Sequence, residues 1–244
     1  AEQNWSWRAL FADFDNDGRK DIFISKGYPK QVNDLDYQNA AFAARRTPDT
    51  SAGRHSSLEI LDRLPTYELP NHLFRNNGDL TFTDHAQAWG MQHPSLSYGA
   101  AYADLDNDGA LDLVVNNIDA PAFVYRNRAR DADGGDGPHH YLQIRLETSA
   151  AHRGFGARVS MSAGGRTQHV FLAPQRGYMS SVDNRAHFGL GTTSRIDSVA
   201  IIWPDGRRQV VTTASVDTLL VVRDDGGSTD HLATSTAAEE RWFE

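Results

Sequence analysis

An internal repeat constrains the fold of this chain more than any other feature of its sequence. Residues 6–18 recur 91 positions later as residues 97–109, and both copies end in the acidic run Asp-x-Asp-Asn-Asp-Gly. β-Branched and aromatic residues flank each run, and neither flank has the 3.6-residue period of a helix. The repeat therefore predicts two similar units that each fold as strand, acidic loop and strand.

Each unit has a later echo, a hydrophobic pair followed by Arg-Asn, at residues 73–76 and 124–127. The first echo lies about 40 positions further from its acidic run than the second does, which predicts an insertion between about residues 28 and 71. Two stretches of the insertion, 34–46 and 56–64, have helical patterns. The insertion is interpreted either as a partner-binding surface or as a decorated loop. After the first echo, Asn77-Gly78 predicts a hairpin turn.

The acidic loops have the composition of calcium sites. Both read Asp-x-Asp-Asn-Asp-Gly-x-x-Asp, with carboxylates at positions 1, 3, 5 and 9. Calcium takes six to eight oxygen ligands at about 2.3 to 2.6 Å, and alternate side chains of a curled loop can converge on one ion. We predict two Ca²⁺ sites, each with four carboxylates and one backbone carbonyl. The first has Asp13, Asp15, Asp17, Asp21 and the carbonyl of Arg19; the second has Asp104, Asp106, Asp108, Asp112 and the carbonyl of Ala110.

These loops differ from an EF-hand. An EF-hand needs a bidentate Glu at position 12 and a helix on each side, whereas position 12 here is Ile24 or Val115 and the flanks are strand-like.

Magnesium fits less well, because its rigid octahedron tolerates four clustered carboxylates poorly. The simpler alternative is that the acidic residues bind no ion and only keep the turn between two strands exposed to solvent. Submicromolar cytosolic calcium would leave such sites empty, so we expect an extracellular, cell-surface or periplasmic location.

A second module follows a Gly- and Asp-rich linker at residues 128–138. Between residues 139 and 223, half a dozen strand patterns occur without a helical pattern between them, which predicts a small β-sandwich or barrel. In one of these strands Leu142, Ile144 and Leu146 alternate onto a single face. Residues 224–244 form a polar tail. The chain is therefore predicted to be all-β.

Composition excludes several classes of function. The net charge is −8, from 24 basic and 32 acidic residues, which disfavours nucleic acid and anionic membranes as partners. No apolar run approaches the roughly 18 residues of a membrane helix. The absence of cysteine excludes disulfides, thiolate zinc sites and cysteine nucleophiles. Because neither a signal pattern nor an initiator Met opens the chain, we expect a processed or excised piece.

The loops and echoes over residues 5–127 resemble FG-GAP (VCBS-type) repeats, which carry calcium in the blades of β-propellers. The second module resembles an ASPIC/UnbV domain, and the pair resembles the cartilage acidic protein-like family. The motifs that carry the second resemblance are Gly-Phe-Gly-Ala-Arg-Val at 154–159, Arg-Gly-Tyr at 176–178, His-Phe-Gly-Leu-Gly at 187–191 and Val-Ala-Ile-Ile-Trp-Pro-Asp-Gly at 199–206.

The resemblance implies a secreted or cell-surface protein with propeller-type blades. Residues 1–127 without the insertion provide about two blades, while a closed propeller needs four to eight. An open pair exposes strand edges, so we expect the remainder of a longer chain or other protein subunits to cover them. Repeating subunits joined head to tail could form a fibre.

No catalytic residue is predicted, because neither Gly-x-Ser-x-Gly nor His-Glu-x-x-His occurs. The predicted function is a non-catalytic, calcium-stabilised scaffold or adhesion module. The alternative is a polysaccharide-binding or polysaccharide-processing protein, with a glycan site between the insertion and the second module. Five histidines and three other residues are candidates for a polar site. His139 and His140 are expected to be a solvent-exposed pair, His187 a satisfied structural histidine, and His72 and His93 residues near turns. Arg158, Arg176 and Tyr178 either line a pocket for a glycan or carboxylate or cover the outer face of a sheet.

Overall fold

A computed structural model describes residues 6–27, 68–131, 139–148 and 154–224, together with residues 30, 35, 37–39, 42 and 66. These residues form fourteen β-strands in four sheets, none of them closed. The all-β class predicted from the sequence is confirmed. Among the described residues, no helix is long and apolar enough to cross a bilayer.

The two repeated units form two antiparallel sheets with the same local plan. In each, an acidic loop joins the first two strands, and the echo supplies the third strand. Asn77 and Gly78 lie in the turn between the third and fourth strands of the first sheet, as predicted. We call these the first and second repeat sheets. The first contains β1 Ser6–Ala12, β2 Asp21–Lys26, β3 His72–Asn76 and β4 Phe82–Asp84; the second contains β5 Ser97–Ala103, β6 Asp112–Asn117 and β7 Phe123–Tyr125.

The two repeat sheets share one hydrophobic core. Phe23 and Leu73 of the first sheet and Leu113 and Val115 of the second are at most 2% exposed and belong to one contiguous cluster. Burial of such side chains stabilises a fold by about 1.5 to 3 kcal/mol each. The repeats therefore pack as a pair.

The second module has two further sheets that pack on a common core. Leu142, Ile144 and Leu146 are buried there, as their alternation predicted, together with Phe188 and Trp203. The last strand pairs in parallel with the first, while every other pair is antiparallel. We call residues 139–224 the β-module. One sheet has the order β10-β9-β12-β13 and the other β11-β8-β14, with β8 His140–Glu147, β9 Arg158–Ala163, β10 Arg166–Phe171, β11 Ala186–Gly191, β12 Ser198–Ile202, β13 Arg208–Val211 and β14 Thr218–Arg223.

Most of the predicted insertion lies outside the described residues. The exceptions in its first helical stretch, Leu35, residues 37–39 and Phe42, are helical. The stretch at 56–64, linker residues 132–138 and residues 225–244 are also outside the described part. The proposed domain boundaries in these regions stay predictions.

Candidate metal centres at the acidic loops

The first acidic loop joins β1 to β2 and gathers three carboxylates. Oxygens of Asp13, Asp15 and Asp21 lie within 4.8 Å of one another. Asp13 and Asp21 are buried, and Oδ1 of Asp13 has no hydrogen-bond partner among the described residues. Burial of a polar oxygen without a partner is costly, so this atom has the environment of a cation ligand.

The second loop, between β5 and β6, repeats this arrangement. Oxygens of Asp104, Asp106 and Asp108 lie within 4.8 Å of one another. Asp104 occupies the position of Asp13 in the motif, and its Oδ1 is likewise buried without a partner in the described part of the chain. The recurrence of this orphaned oxygen at matched positions makes a chance packing defect a poor explanation.

The same backbone amide holds the first carboxylate in each loop. The amide of Gly18 donates to Oδ2 of Asp13 at 2.9 Å, and the amide of Gly109 donates to Oδ2 of Asp104 at 3.0 Å. Both glycines adopt positive φ, +85° and +89°, which other residues adopt only with strain. The glycine at position 6 of the motif therefore bends the loop and orients its first aspartate.

Two of the eight predicted carboxylates lie outside these groups. Asp17 accepts the amide of Arg19 at 2.8 Å, and Asp112 accepts the amides of Leu105 and Asn127 at 2.8 and 2.7 Å. The structure therefore gathers three acids in each loop and ties one to the backbone. Ligation by Asp17, by Asp112 and by the carbonyls of Arg19 and Ala110 stays a prediction.

The arginines of the echoes reach back to the acidic loops. Nε of Arg75 donates to Oδ2 of Asp15 at 2.6 Å, and Nε of Arg126 donates to Oδ2 of Asp106 at 2.8 Å. Both contacts are charge-assisted hydrogen bonds to position 3 of the motif. They explain why an arginine follows each acidic loop on the third strand, a role that the motif alone did not specify.

The asparagines of the echoes hold the last aspartate of each loop. The amides of Asn76 and Asn127 donate to Oδ1 of Asp21 and Oδ1 of Asp112 at 2.9 and 2.7 Å. Each loop is thus fastened to the neighbouring strand at two positions. The spacing of the echo reflects these contacts, since both need the third strand of the same sheet.

Burial makes these carboxylates reluctant to ionise. It raises the pKa of Asp13 well above its usual range and that of Asp21 to about 7, with neighbouring carboxylates adding to both shifts. In the second loop burial raises the pKa of Asp108 to about 6, and it also raises the pKa values of Asp104 and Asp112. A divalent cation would replace protons at such sites and relieve the mutual repulsion.

The first loop also contacts the β-module. Asn16, a position-4 residue with φ +57°, donates from Nδ2 to the carbonyl of Gly109 at 2.9 Å. Its Oδ1 therefore accepts a hydrogen bond, and Nε2 of His187 lies 2.7 Å from it. The carbonyl of Asn16 accepts the amide of Gly191 at 2.7 Å. One asparagine thus joins both acidic loops to the β-module, a role that sequence reasoning missed.

The second loop contacts the β-module through a different pair. Nε2 of the buried Gln143 donates to Oδ2 of Asp104 at 2.6 Å. Arg185 donates to the carbonyl of Asp104 at 2.8 Å and to Oδ1 of Asn107 at 3.0 Å. Sequence reasoning missed these contacts, because Gln143 is one of several polar residues that alternate with the apolar residues of β8. The candidate centres therefore lie at the junction of the repeat sheets with the β-module.

The histidine expectations have mixed outcomes. His187 is buried, as predicted, and burial together with the Lys20 charge lowers its pKa to about 3. The expectation that its hydrogen bonds are satisfied is wrong for one ring nitrogen, because Nδ1 has no partner among the described residues. The expectation that His139 and His140 form a solvent-exposed pair is wrong, because both are half-buried and hydrogen-bonded. Nδ1 of His139 lies 2.6 Å from the carbonyl of Asp15, and Nδ1 of His140 lies 2.6 Å from Asp217. Consecutive side chains in β-structure point to opposite faces, and these two have separate partners.

The remaining candidates for a polar site do not form one cluster and have different surroundings. His72 contacts Asp84 at 2.8 Å, and His93 lies beside Phe123 with a ring separation of 6.1 Å. Arg158 and Tyr178 are exposed, as the outer-face interpretation predicts. Arg176 alone of its group lines a cavity.

Comparison with known proteins finds a family match in each half of the chain. Residues 60–115 match the FG-GAP-like repeat family, a span that includes the second acidic loop, and residues 147–229 match the ASPIC and UnbV family. Cartilage acidic protein 1 of Mus musculus and that of Homo sapiens are each 25% identical over 203 residues, which cover 81% of this chain and 25% of the relative. Cartilage acidic protein 1 of Xenopus tropicalis is 28% identical over 114 residues, covering 45% of this chain and 16% of the relative.

The aligned part of the chain spans about a quarter of the length of the mouse and human relatives. The two family matches occur in the order that the motifs predicted, and the resemblance stated from the sequence is confirmed. The chain therefore carries a match to the FG-GAP-like repeat family followed by a match to the ASPIC and UnbV family, and it is similar to cartilage acidic protein 1.

Proposed function

We propose that this chain is a non-catalytic, calcium-stabilised scaffold or adhesion module of an extracellular protein. The observation that carries the proposal is the pair of buried, unpartnered carboxylate oxygens on Asp13 and Asp104, each within a group of three acids. Hard oxygen donors of this kind suit Ca²⁺. The similarity to cartilage acidic protein 1 supports an extracellular location.

In this proposal, two Ca²⁺ ions stabilise the junction between the repeat sheets and the β-module. The proposed ligands of each ion are the three gathered carboxylates, completed by the remaining aspartate and the position-7 carbonyl of the loop. The first loop contacts His187 through the side chain of Asn16. The second contacts Gln143 through the carboxylate of Asp104 and Arg185 through the carbonyl of the same residue. A bound ion would therefore fix the surface on which the β-module rests.

The repeat sheets are proposed to be propeller-type blades whose free sides contact further protein. Val124 on β7 is 64% exposed and Leu80, beside β4, is 97% exposed. A cavity of about 700 Å³ also lies beside Trp89, Leu113 and Tyr125. The remainder of a longer chain or other subunits would cover these surfaces, and repeated contacts of this kind could build a fibre.

Calcium titration by isothermal calorimetry tests the proposal. We expect two sites with Kd on the order of 0.1 mM, so that about 1 mM calcium adds roughly 1.4 kcal/mol of stability per site. Asp15→Ala and Asp106→Ala should each remove one site, whereas Asp205→Ala, in an acidic turn of the β-module, should remove none. Unchanged binding in the Asp15→Ala/Asp106→Ala double variant would overturn the proposal.

Calcium affinity is expected to decrease as the pH is lowered, and the first loop should lose affinity at a higher pH than the second. A cation must displace the protons retained by carboxyls of raised pKa, about 7 for Asp21 and about 6 for Asp108. Affinity should therefore decline below about pH 7 at the first site and below about pH 6 at the second. Titration of the Asp15→Ala and Asp106→Ala variants at pH 8, 6.5 and 5.5 resolves each site.

In the calcium-free protein, these carboxyls should stabilise the fold more at low pH than at neutral pH, which is opposite to the pH dependence of calcium affinity. Its native carboxyls hold protons that the unfolded chain releases above about pH 4, so this contribution is largest in acid and is lost as the pH rises toward 7. Thermal melts in chelator and in saturating calcium should diverge as pH increases. Equal affinity at pH 5.5 and pH 8 would contradict the protonation argument.

The alternative function is a polysaccharide-binding or polysaccharide-processing protein, whose site would involve the insertion. Glycan-array binding and a hydrolase assay distinguish it from the scaffold. Turnover that depends on histidines or aspartates outside the two acidic loops would favour this alternative.

A further inference from the structure

A cavity of about 190 Å³ lies where the first repeat sheet contacts the β-module. It is separate from the cavity beside Trp89, and no motif assigned above to calcium accounts for it. Its lining combines cationic, polar and aromatic side chains. These include Lys20, Arg176, Arg185, His187, Phe155 and Phe171.

The cationic side chains of this junction cavity differ in how their charges are compensated. Arg185 pairs with Asp183, and the charges of Asp13 and Asp21 partly offset that of Lys20. Arg176 has no carboxylate partner among the described residues. Its guanidinium donates from one nitrogen to the carbonyl of Phe171 at 2.6 Å, and its Nε is buried without a partner in the described part of the chain.

Arg176 and Lys20 both line the cavity, and burial lowers the pKa of Lys20, with the Arg176 charge adding to that shift. Two neighbouring cations, one with an unpaired buried donor, favour an anionic group that can accept hydrogen bonds from both. A guanidinium matches a carboxylate particularly well, because its planar fork can donate two parallel hydrogen bonds. The junction cavity thus has the electrostatics of a carboxylate site.

His187 adds a second requirement to the ligand. Because Oδ1 of Asn16 accepts a hydrogen bond, Nε2 of His187 carries the proton and Nδ1 carries a lone pair. His187 is 6% exposed, and its Nδ1 also has no partner among the described residues. A ligand hydroxyl could donate to this acceptor. The lining therefore includes donors for an anion and an acceptor for a hydroxyl.

The volume limits the size of the ligand. Pockets for drug-sized molecules measure about 300 to 1,000 Å³, so a cavity of about 190 Å³ accepts one small molecule and excludes an oligosaccharide. We propose that the junction cavity binds a small hydroxylated carboxylate no larger than a single sugar acid, with Arg176 and Lys20 on its carboxylate and His187 on a hydroxyl. This site adjoins the first proposed calcium site, because Lys20 belongs to that acidic loop and His187 contacts Asn16 of the same loop.

Calorimetric titration with D-glucuronate, glucose and acetate at constant ionic strength tests the proposal. Glucuronate should bind, neutral glucose should not, and acetate should bind at least about tenfold more weakly because it cannot satisfy the histidine. Binding of glucose as tight as that of glucuronate, or of acetate as tight as that of glucuronate, would overturn the assignment.

Two variants localise the binding. Arg176→Gln keeps a polar side chain but removes the positive charge and the guanidinium fork, and it should weaken glucuronate binding at least about tenfold. Arg158→Gln is the matched control, since Arg158 is an exposed arginine of the same module outside the cavity lining, and it should bind as the wild type does. Equal binding by Arg176→Gln and wild type would contradict the site.

A measurement on the unmodified chain covers the case in which Arg176→Gln fails to fold. Histidine ring signals in ¹H–¹⁵N NMR spectra should shift at His187 and His169, which line the cavity, when glucuronate is added. The ring of His72, which pairs with Asp84 elsewhere, should not shift. Shifts at His72 alone, or at none of the three rings, would overturn the proposal.

Discussion

Gly109→Ala is expected to lower the free energy of unfolding by about 3 kcal/mol or more. An alanine Cβ at this position would lie 2.0 Å from Cε1 and 2.2 Å from Cζ of Tyr141, and the backbone has φ +89°. Tyr141 cannot move aside easily, because its buried ring is stacked on His187 and covered by the guanidinium of Arg130 at 4.8 Å. The substitution should therefore separate the second loop from the β-module.

Gly206→Ala provides a control matched in backbone conformation. Gly206 has φ +88°, but a Cβ at this position would meet no atom within 4 Å, so alanine there incurs only the left-handed backbone penalty of about 1 to 2 kcal/mol. Urea unfolding followed by circular dichroism measures both losses under one set of conditions. Equal losses for the two variants would show that the contact with Tyr141 is unimportant.

The hairpins could be predicted from sequence because their signals are local. The position-6 glycine, the alternating aspartates and Asn77-Gly78 each specify a turn within a few residues, and the structure places strands on both sides of every one. The Arg-Asn echo was visible as a repeated motif as well. Its contacts with the loops required the strand pairing that only the fold provides.

The junction could not be predicted in the same way. Asn16 and His187 are 171 positions apart, and nothing in either local sequence indicates the other. Gly189 is a second example, because the sequence shows only that it lies in a strand motif and does not show which residue it contacts. A Cβ on Gly189 would lie 2.1 Å from Oδ2 of Asp13, so a glycine is needed where the first loop and β11 touch.

The separation of Asp17 and Asp112 from the gathered acids could not be predicted from the motif either. The motif is identical in both loops, yet Asp21 belongs to the first group of acids and Asp108 to the second. Hydrogen bonds from backbone amides do not account for this difference, because Asp21 and Asp108 also accept them, at 2.9 and 2.7 Å. Spacing identifies which carboxylates can reach a common point, but not which of them do so.

Each acidic loop therefore has two surfaces with different chemistry. Carboxylate oxygens converge on one, while backbone carbonyls, the Asn16 side chain and Oδ2 of Asp104 form hydrogen bonds with the β-module on the other. An ion bound on the first surface would restrict the backbone on the second. This connection explains physically how calcium could stabilise the whole molecule, including the β-module, which supplies none of the gathered carboxylates.

Arg185 tests the strength of this junction. Its guanidinium, on a side chain that is 16% exposed, pairs with Asp183 and donates to Gln143, to Asn107 and to the carbonyl of Asp104. Arg185→Ala leaves several largely buried acceptors unsatisfied and is expected to cost about 2 to 4 kcal/mol.

Arg207 is the control for this prediction, because it pairs with two carboxylates, where Arg185 pairs with one, without joining the module to the loops. Its guanidinium reaches Asp205 at 2.6 Å and Asp224 at 2.7 and 2.9 Å, on a side chain that is 40% exposed. Solvent screens such pairs, so Arg207→Ala should change stability little. The two urea midpoints, measured in saturating calcium, give the comparison. A loss for Arg207→Ala as large as that for Arg185→Ala would mean that ion pairing in general, and not the junction with the acidic loops, accounts for the stability.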